Sequence, residues 1–319
     1  MLLSLTLFVA GLLVVIKGAD WLTDGASDIA ARMGISSLVI GLTIVAFGTS
    51  APELVVSILS ALKGEAEMAV GNVMGSNIFN TLAIMGATAL IAPVCCSKNN
   101  IRYEVPLSLL ASVVLVCMAS KGTLLQSDGI VLLCFFVIFL SYTFAIARTH
   151  HTPDTATPAP ETGEKEHMPL RRAIMLFVLG LAGLIIGGDS LVRGATGLAL
   201  MMGVSPSTVA LTIVAAGTSM PELVTSIVAA RKGDTDMAMG NVVGSNIFNI
   251  FLILGLSATI APLGLGNIGP VDMGFLLGSS ALLWVFCRFG RRYHYVTRPE
   301  GAVLLIAAIA YYAWLALRG

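Results

Sequence analysis

The sequence predicts an all-α integral membrane protein of ten transmembrane helices, arranged as two inverted five-helix repeats. Three observations carry this expectation. First, 56% of the 319 residues are hydrophobic and 11% are charged, at a mean hydropathy of +0.91. Soluble domains carry about 25% charged residues. Second, residues 41–93 and 210–262 align without a gap at an offset of 169, and 34 of the 53 pairs are identical. The register extends backwards, pairing Gly18 with Gly187, Asp20 with Asp189, Gly25 with Gly194 and Gly34 with Gly203. Third, the 18 Lys and Arg residues are spread unequally between the two sides that the apolar runs define. The zero net charge argues against nucleic-acid binding.

A span needs roughly 17–25 apolar residues. Runs that satisfy this fall near 2–21, 35–61, 67–93, 104–120, 127–147, 171–193, 204–230, 236–262, 271–288 and 300–317. The first could pass for a signal-peptide core. It lacks a basic region before it and a small-x-small cleavage pattern after it. Residues 11–26 also align with 180–195, so it reads as the first transmembrane helix. Residues 1–147 then form the first repeat and 171–319 the second. The polar stretch 148–170, rich in Pro, Thr, Glu and His, reads as a flexible cytoplasmic linker. Its histidines (His150, His151, His167) read as solvated. The five cysteines show no zinc-binding spacing and read as small apolar residues.

Orientation follows from the basic residues. With the N-terminus outside, Lys17, Arg32, Lys98, Arg102, Arg148, Lys165, Arg171, Arg172, Arg231, Lys232, Arg288, Arg291, Arg292 and Arg298 fall on the cytoplasmic side. Only Lys63, Lys121, Arg193 and Arg318 fall outside. Both termini are therefore expected outside. Five spans per half is an odd number, so the second half enters the membrane upside down.

Each half places one carboxylate in an apolar run, within Gly48-Thr-Ser-Ala-Pro-Glu53 and Gly217-Thr-Ser-Met-Pro-Glu222. Pro52 lacks an N–H, so the carbonyl four residues earlier loses its helical partner. A free carbonyl in lipid is costly unless it lines a cavity or binds something. Thr49 and Ser50 precede Glu53 by four and three residues, which places their hydroxyls on its helix face. The next helix of each half adds Asn72, Ser76 and Asn80, or Asn241, Ser245 and Asn249, spaced by four. The motifs Gly71-x-x-x-Gly75 and Gly240-x-x-x-Gly244 permit close helix approach. Asn77 and Asn246 point elsewhere and read as structural amides bonded to neighbouring backbone.

This inventory is oxygen-only, with no Cys or His on the stripes. Oxygen cages suit Ca²⁺, Na⁺ or Mg²⁺, and Mg²⁺ ranks lower because it demands octahedral order. A charge at the bilayer centre costs about 2.5–3.5 kcal/mol or more. An internal salt bridge cannot offset it, since every Lys and Arg falls at a helix end or in a loop. Two readings remain: permanently protonated carboxyls, or carboxylates whose partner is a transported cation or proton. The Ser, Thr and Asn stripes alone fit helix packing as well as ligation.

The paired Gly-Thr-Ser-x-Pro-Glu and Gly-Ser-Asn-Ile-Phe-Asn segments resemble the two alpha repeats of the calcium/cation antiporter superfamily, particularly prokaryotic sodium/calcium exchanger-like proteins. The resemblance implies an alternating-access exchanger with four cation sites at the midplane. It implies ligation by Glu53, Thr49, Ser50, Ser76 and Asn80, and by Glu222, Thr218, Ser219, Ser245 and Asn249, with the carbonyls of Ala46 and Ala215. It also implies that the first and sixth helices slide across the other eight; their glycines fit a loosely packed pair. Sodium-exchanging members often carry Asp at the position of Asn80 or Asn249, whereas here both are Asn. The expected activity is Ca²⁺ antiport against Na⁺, with H⁺ as the alternative counter-ion, in the cytoplasmic membrane. No resident cofactor is expected, the ions being cargo, and a monomer suffices. A passive channel and an intramembrane glutamate enzyme are the competing classes. The enzyme lacks a nucleophile or metal dyad, since all four histidines lie in loops.

Overall fold

The computed structural model describes residues 2–149, 168–202 and 215–318. The first half folds as α1 (Leu2–Met33), α2 (Ser37–Thr49), α3 (Ala51–Lys63), α4 (Ala66–Ile91), α5 (Asn100–Ala119) and α6 (Gln126–Thr149). The second half repeats the order as α7 (Leu170–Met201), α8 (Ala215–Thr218), α9 (Met220–Arg231), α10 (Thr235–Ile260), α11 (Pro270–Phe289) and α12 (Arg298–Arg318). Seven of these helices are long and apolar enough to span, and α2 with α3 make an eighth span bent by 48°. The expected span 204–230 is described only from Ala215 onward. The centre of the expected linker, 150–167, lies outside the described residues.

Two boundaries differ from expectation. The first helix was expected to end near residue 21 but runs to Met33, and Gly34, at φ +63°, stops it. Nothing between 22 and 33 breaks a helix, so the run of apolar residues ends before the helix does. The second span, expected over 35–61 with a carbonyl unpaired by Pro52, breaks at Ser50 into two helices.

α1 and α7 lie antiparallel along their whole length, with Gly11 against Leu191, Gly18 against Leu184 and Gly25 against Phe177. Gly11, Gly18 and Gly25 recur every seven residues, as do Gly180, Gly187 and Gly194. A Cβ on Gly18 would lie 2.9 Å from the carbonyl oxygen of Gly180. This corrects the expectation of loose packing: removing side chains from the seam lets the two backbones touch. Against the other helices the pair leans mainly on α2, α8 and α9.

The remaining helices share a core centred on α4 and α10, which are buried over most of their length. Gly240 and Gly244 admit α2, since a Cβ on either would lie within 2.7 Å of the backbone of Leu38 or Leu42. Gly71 and Gly75 have no such neighbour among the described residues. Residues 207–211, which match 38–42 at the offset of 169, lie outside the described residues. Two short antiparallel ribbons close the ends. β1 (Val94–Cys95) pairs with β4 (Tyr295–Val296), and β2 (Thr123–Leu124) pairs with β3 (Leu263–Gly264). Each joins the loop after the fourth helix element of one half to the loop after the fifth of the other. Inverted halves bring those loops to the same end; parallel halves would separate them. Of the cysteines, Cys96 and Cys287 are buried and Cys117 and Cys134 are exposed on helix surfaces.

Candidate cation-binding site

The site forms where the two broken spans meet α4 and α10. Ser50 (φ −82°, ψ 8°) and Ser219 (φ −89°, ψ 9°) leave helical geometry at equivalent points. Pro52 and Pro221 follow in the first turns of α3 and α9, where a missing N–H costs nothing. Glu53 and Glu222 occupy those same first turns. A helix N-terminus presents unpaired N–H groups and favours negative charge there. Both carboxylates are fully buried, as are Thr49, Asn80, Ser219, Ser245 and Asn249. Ser50 and Ser76 are nearly so, and Thr218 is half-buried.

The hydroxyls of Ser50 and Ser219 do not pair with the carboxylate of their own half. Ser50 Oγ donates to Glu222 Oε1 at 2.9 Å, and Ser219 Oγ donates to Glu53 Oε1 at 3.1 Å. Sequence spacing put Ser50 on the face of Glu53. The break between α2 and α3 turns it instead toward the other repeat. Ser219 Oγ also lies 3.3 Å from Ser76 Oγ. Thr218 stands beside Glu53, while Thr49 and Ser245 stand beside Glu222. The site is therefore one shared chamber to which each half contributes a carboxylate and the hydroxyl facing the other's.

Among the described residues, four acceptor oxygens here are buried with no hydrogen-bond donor: Glu53 Oε2, Glu222 Oε2, Asn80 Oδ1 and Asn249 Oδ1. The Ser245 hydroxyl completes no hydrogen bond either. Leaving a buried acceptor unpaired costs about 1–3 kcal/mol, more for a charged one. Concentrating them on two pseudo-symmetric carboxylates and two amides produces an oxygen cage with unfilled coordination capacity.

Four asparagines fix the amides. Asn80 Nδ2 donates to Asn246 Oδ1 at 3.2 Å, and Asn249 Nδ2 donates to Asn77 Oδ1 at 2.9 Å. Asn77 Nδ2 donates to the Asn246 carbonyl at 3.1 Å, and Asn246 Nδ2 to Thr81 Oγ1 at 2.8 Å. Asn77 and Asn246 are thus structural, as the sequence suggests, and they do more: each holds the amide nitrogen of the other half's Asn, leaving its oxygen unpaired. Asn80 opens a π-helical stretch, Asn80–Ile84, and Asn249 lies in another, Phe248–Leu254. Such widened turns recur at functional sites. Nothing in a spacing of four announces them.

Asn72 and Asn241 leave the predicted stripe for another task. Asn241 Nδ2 donates to the Glu222 carbonyl at 3.2 Å and to Ser226 Oγ at 3.0 Å; Asn72 does the same to Glu53 and Ser57 at 3.3 and 2.9 Å. They brace the helix turns carrying the carboxylates. The repeated pair Ser57 and Ser226, four residues after each Glu, was the signal in the sequence. The Ala46 carbonyl already accepts Ser50 N–H at 3.0 Å and Thr49 Oγ1 at 3.3 Å. Ala215 opens α8. Among the described residues, the ion pairs of Arg32, Arg193 and Lys232 all lie on partly exposed side chains away from Glu53 and Glu222. No group of three or more His, Cys, Asp or Glu is found among them, so any cation here meets hydroxyl and amide oxygens besides the two carboxylates.

The chain matches known proteins along nearly its whole length. The profile of the sodium/calcium exchanger protein family matches residues 3–145 and 172–317. The chain belongs to that family. Inner membrane protein YrbG of Escherichia coli (strain K12) is 36% identical over 323 residues, covering 99% of this chain and 97% of its own. Sodium/calcium exchanger MaX1 of Methanosarcina acetivorans is 30% identical, with 94% and 95% covered. The sodium-calcium exchanger NCX_Mj, in a crystal soaked with Na⁺ and Ca²⁺, superposes at a TM-score of 0.84 with 31% identity, covering 98% of each chain. This family member is a multi-pass membrane cation antiporter and not an enzyme.

Proposed function

We propose that this antiporter exchanges Ca²⁺ for Na⁺ by alternating access, binding both at the cage shared by its halves. The ligands in this reading are Glu53, Thr49, Ser50, Ser76 and Asn80 with Glu222, Thr218, Ser219, Ser245 and Asn249, joined by the carbonyls of Ala46 and Ala215. The observation that carries it is the set of buried, undonated oxygens on Glu53, Glu222, Asn80 and Asn249. Hard cations take such oxygens, and Ca²⁺ accepts six to eight at flexible geometry. The similarity to MaX1 and NCX_Mj, both sodium/calcium exchangers, supports the same ion pair. Residues 1–147 and 171–319 act as the two repeats, 148–170 as a cytoplasmic linker, and both termini lie outside the cytoplasmic membrane, in keeping with the basic bias.

Exchange of Ca²⁺ for H⁺ is the second reading. It draws on the neutral Asn80 and Asn249, which leave two carboxylates, a charge that two protons balance as well as two Na⁺ do. The test is ⁴⁵Ca²⁺ uptake into proteoliposomes under imposed Na⁺, K⁺ or H⁺ gradients. Uptake driven by an outward Na⁺ gradient is expected. Uptake that follows only the H⁺ gradient replaces the first reading with the second.

A further inference from the structure

The pair α1–α7 touches the rest of the molecule differently at its two ends. At the end expected to face the cytoplasm, Lys232, in the α9–α10 turn, reaches across to α1. Its Nζ lies 2.9 Å from Asp24 Oδ1, 3.3 Å from Asp20 Oδ1 and 2.9 Å from the Asp20 carbonyl oxygen. Beside it, Ser27 Oγ donates to Asp234 Oδ2 at 3.1 Å. Five side chains of α1 and the turn are thereby closed on one another, with Asp234 also capping α10 through Met237 N–H at 3.0 Å.

The offset of 169 finds the same residues at the opposite end. Lys232 corresponds to Lys63, Asp234 to Glu65, Asp20 to Asp189 and Ser27 to Thr196. There the contact is open. Lys63 and Glu65 are exposed, and among the described residues neither side chain pairs with α7. Asp189 is taken by Arg193 of its own helix at 2.8 Å. Thr196 Oγ1, the counterpart of the bonded Ser27 hydroxyl, is buried without a partner among the described residues.

We infer that these residues are two alternating latches: Lys232–Asp20/Asp24 with Ser27–Asp234 holds α1–α7 at one end, and Lys63–Asp189 with Thr196–Glu65 holds it at the other when the pair slides. The inference rests on the alternating-access reading above and assigns it specific contacts. Inverted repeats supply the logic, since exchanging the conformations of the two halves turns one end's contacts into the other's. Partly exposed ion pairs are individually weak, which suits a contact that must break in every cycle. Arg193 stands where Asp24 stands, so the second latch has one acidic partner for its lysine rather than two. The swap places Arg193 beside Lys63, a like charge, so the second latch is the weaker of the two.

The test uses the full-length protein in proteoliposomes, in a cysteine-free background that retains exchange. Lys63→Cys with Asp189→Cys is treated with a short bis-thiosulfonate cross-linker. The pair is expected to cross-link, to stop ⁴⁵Ca²⁺ exchange, and to recover when the link is reduced. Adding Lys232→Gln, which opens the first latch, is expected to raise the cross-linking yield about three- to tenfold, on the order of losing two weak pairs. Asp24→Asn serves as a second release variant should Lys232→Gln reduce the yield of folded protein. Cross-linking no greater than that of Lys63→Cys with Val178→Cys on the lipid-facing side of α7 overturns the inference, as does a yield indifferent to both release variants. Exchange by the background protein is measured alongside. Its absence counts against the proposed function, whereas its presence without cross-linking counts against the latches alone.

Discussion

At the residue scale, the decisive contacts are those that cross between the halves. Ser50 and Ser219 each hold one oxygen of the opposite carboxylate and leave the second oxygen unpaired. A hydrogen bond to a charged group contributes about 1.5–3 kcal/mol. Ser50→Ala and Ser219→Ala are therefore each expected to raise the half-saturating Ca²⁺ concentration roughly tenfold or more, read from ⁴⁵Ca²⁺ uptake, with folded yield unchanged. Asn77→Ala and Asn246→Ala act differently. Each removes a buried amide that fixes Asn249 or Asn80 and strands its partner group. The expected cost is about 1–3 kcal/mol of stability, seen as a lower midpoint in thermal unfolding of purified protein together with weakened Ca²⁺ protection. Unchanged stability in both would remove these asparagines from the account. The sequence named residues that the structure gathers at the candidate site, but not their pairing. Spacing reports neighbours along one helix, and Ser50 meets its carboxylate only because the helix breaks at that residue.

At the element scale, the glycine seam between α1 and α7 makes two helices into one body. A Cβ on Gly187 would sit 2.9 Å from Val15 N, whereas one on Gly274 meets nothing within 4 Å. Gly187→Leu is expected to abolish monodisperse protein in size-exclusion chromatography, and Gly274→Leu to leave it intact. Comparable yields of both would contradict the close packing of the pair. The seam was readable in principle from the sevenfold recurrence of glycine, yet composition alone suggested looseness. Helix ends were less readable. Apolar length marked where α1 enters the membrane, but residues 22–33 are helix-compatible and polar enough to leave no signal. The π-helical stretches at Asn80–Ile84 and Phe248–Leu254 were also invisible, since apolar periodicity does not distinguish a widened turn from an α-helical one.

At the scale of the whole molecule, the internal repeat made the architecture legible before any coordinate. An offset of 169 with an odd number of spans per half requires inversion, and the two ribbons β1–β4 and β2–β3 pair loops as inverted halves must. Orientation rests on the basic residues alone. Cysteines introduced at 97–100 or 155–166 are expected to label only from the cytoplasm, and those near Gly64 or Gly266 only from outside. Labelling of the linker from outside would reverse the orientation.

Charge also acts at this scale. With neutral Asn80 and Asn249, the empty cage carries two negative charges when both glutamates are ionised, which one Ca²⁺ or two Na⁺ cancel. A third Na⁺ would add an unpaired charge, disfavoured by a few kcal/mol at effective interior permittivity. Exchange close to electroneutral is therefore expected, with flux insensitive to potentials set by valinomycin and K⁺.

The central claim is that one cation site, owned jointly by the two halves, performs the exchange. Its most direct test is ⁴⁵Ca²⁺ uptake driven by an outward Na⁺ gradient in proteoliposomes carrying Glu53→Gln or Glu222→Gln. Each change removes one of the only two formal charges that the buried cage offers the cation. The account predicts no uptake above protein-free vesicles in either variant, with both proteins folded and inserted. Uptake near the unmodified rate in either one would contradict it.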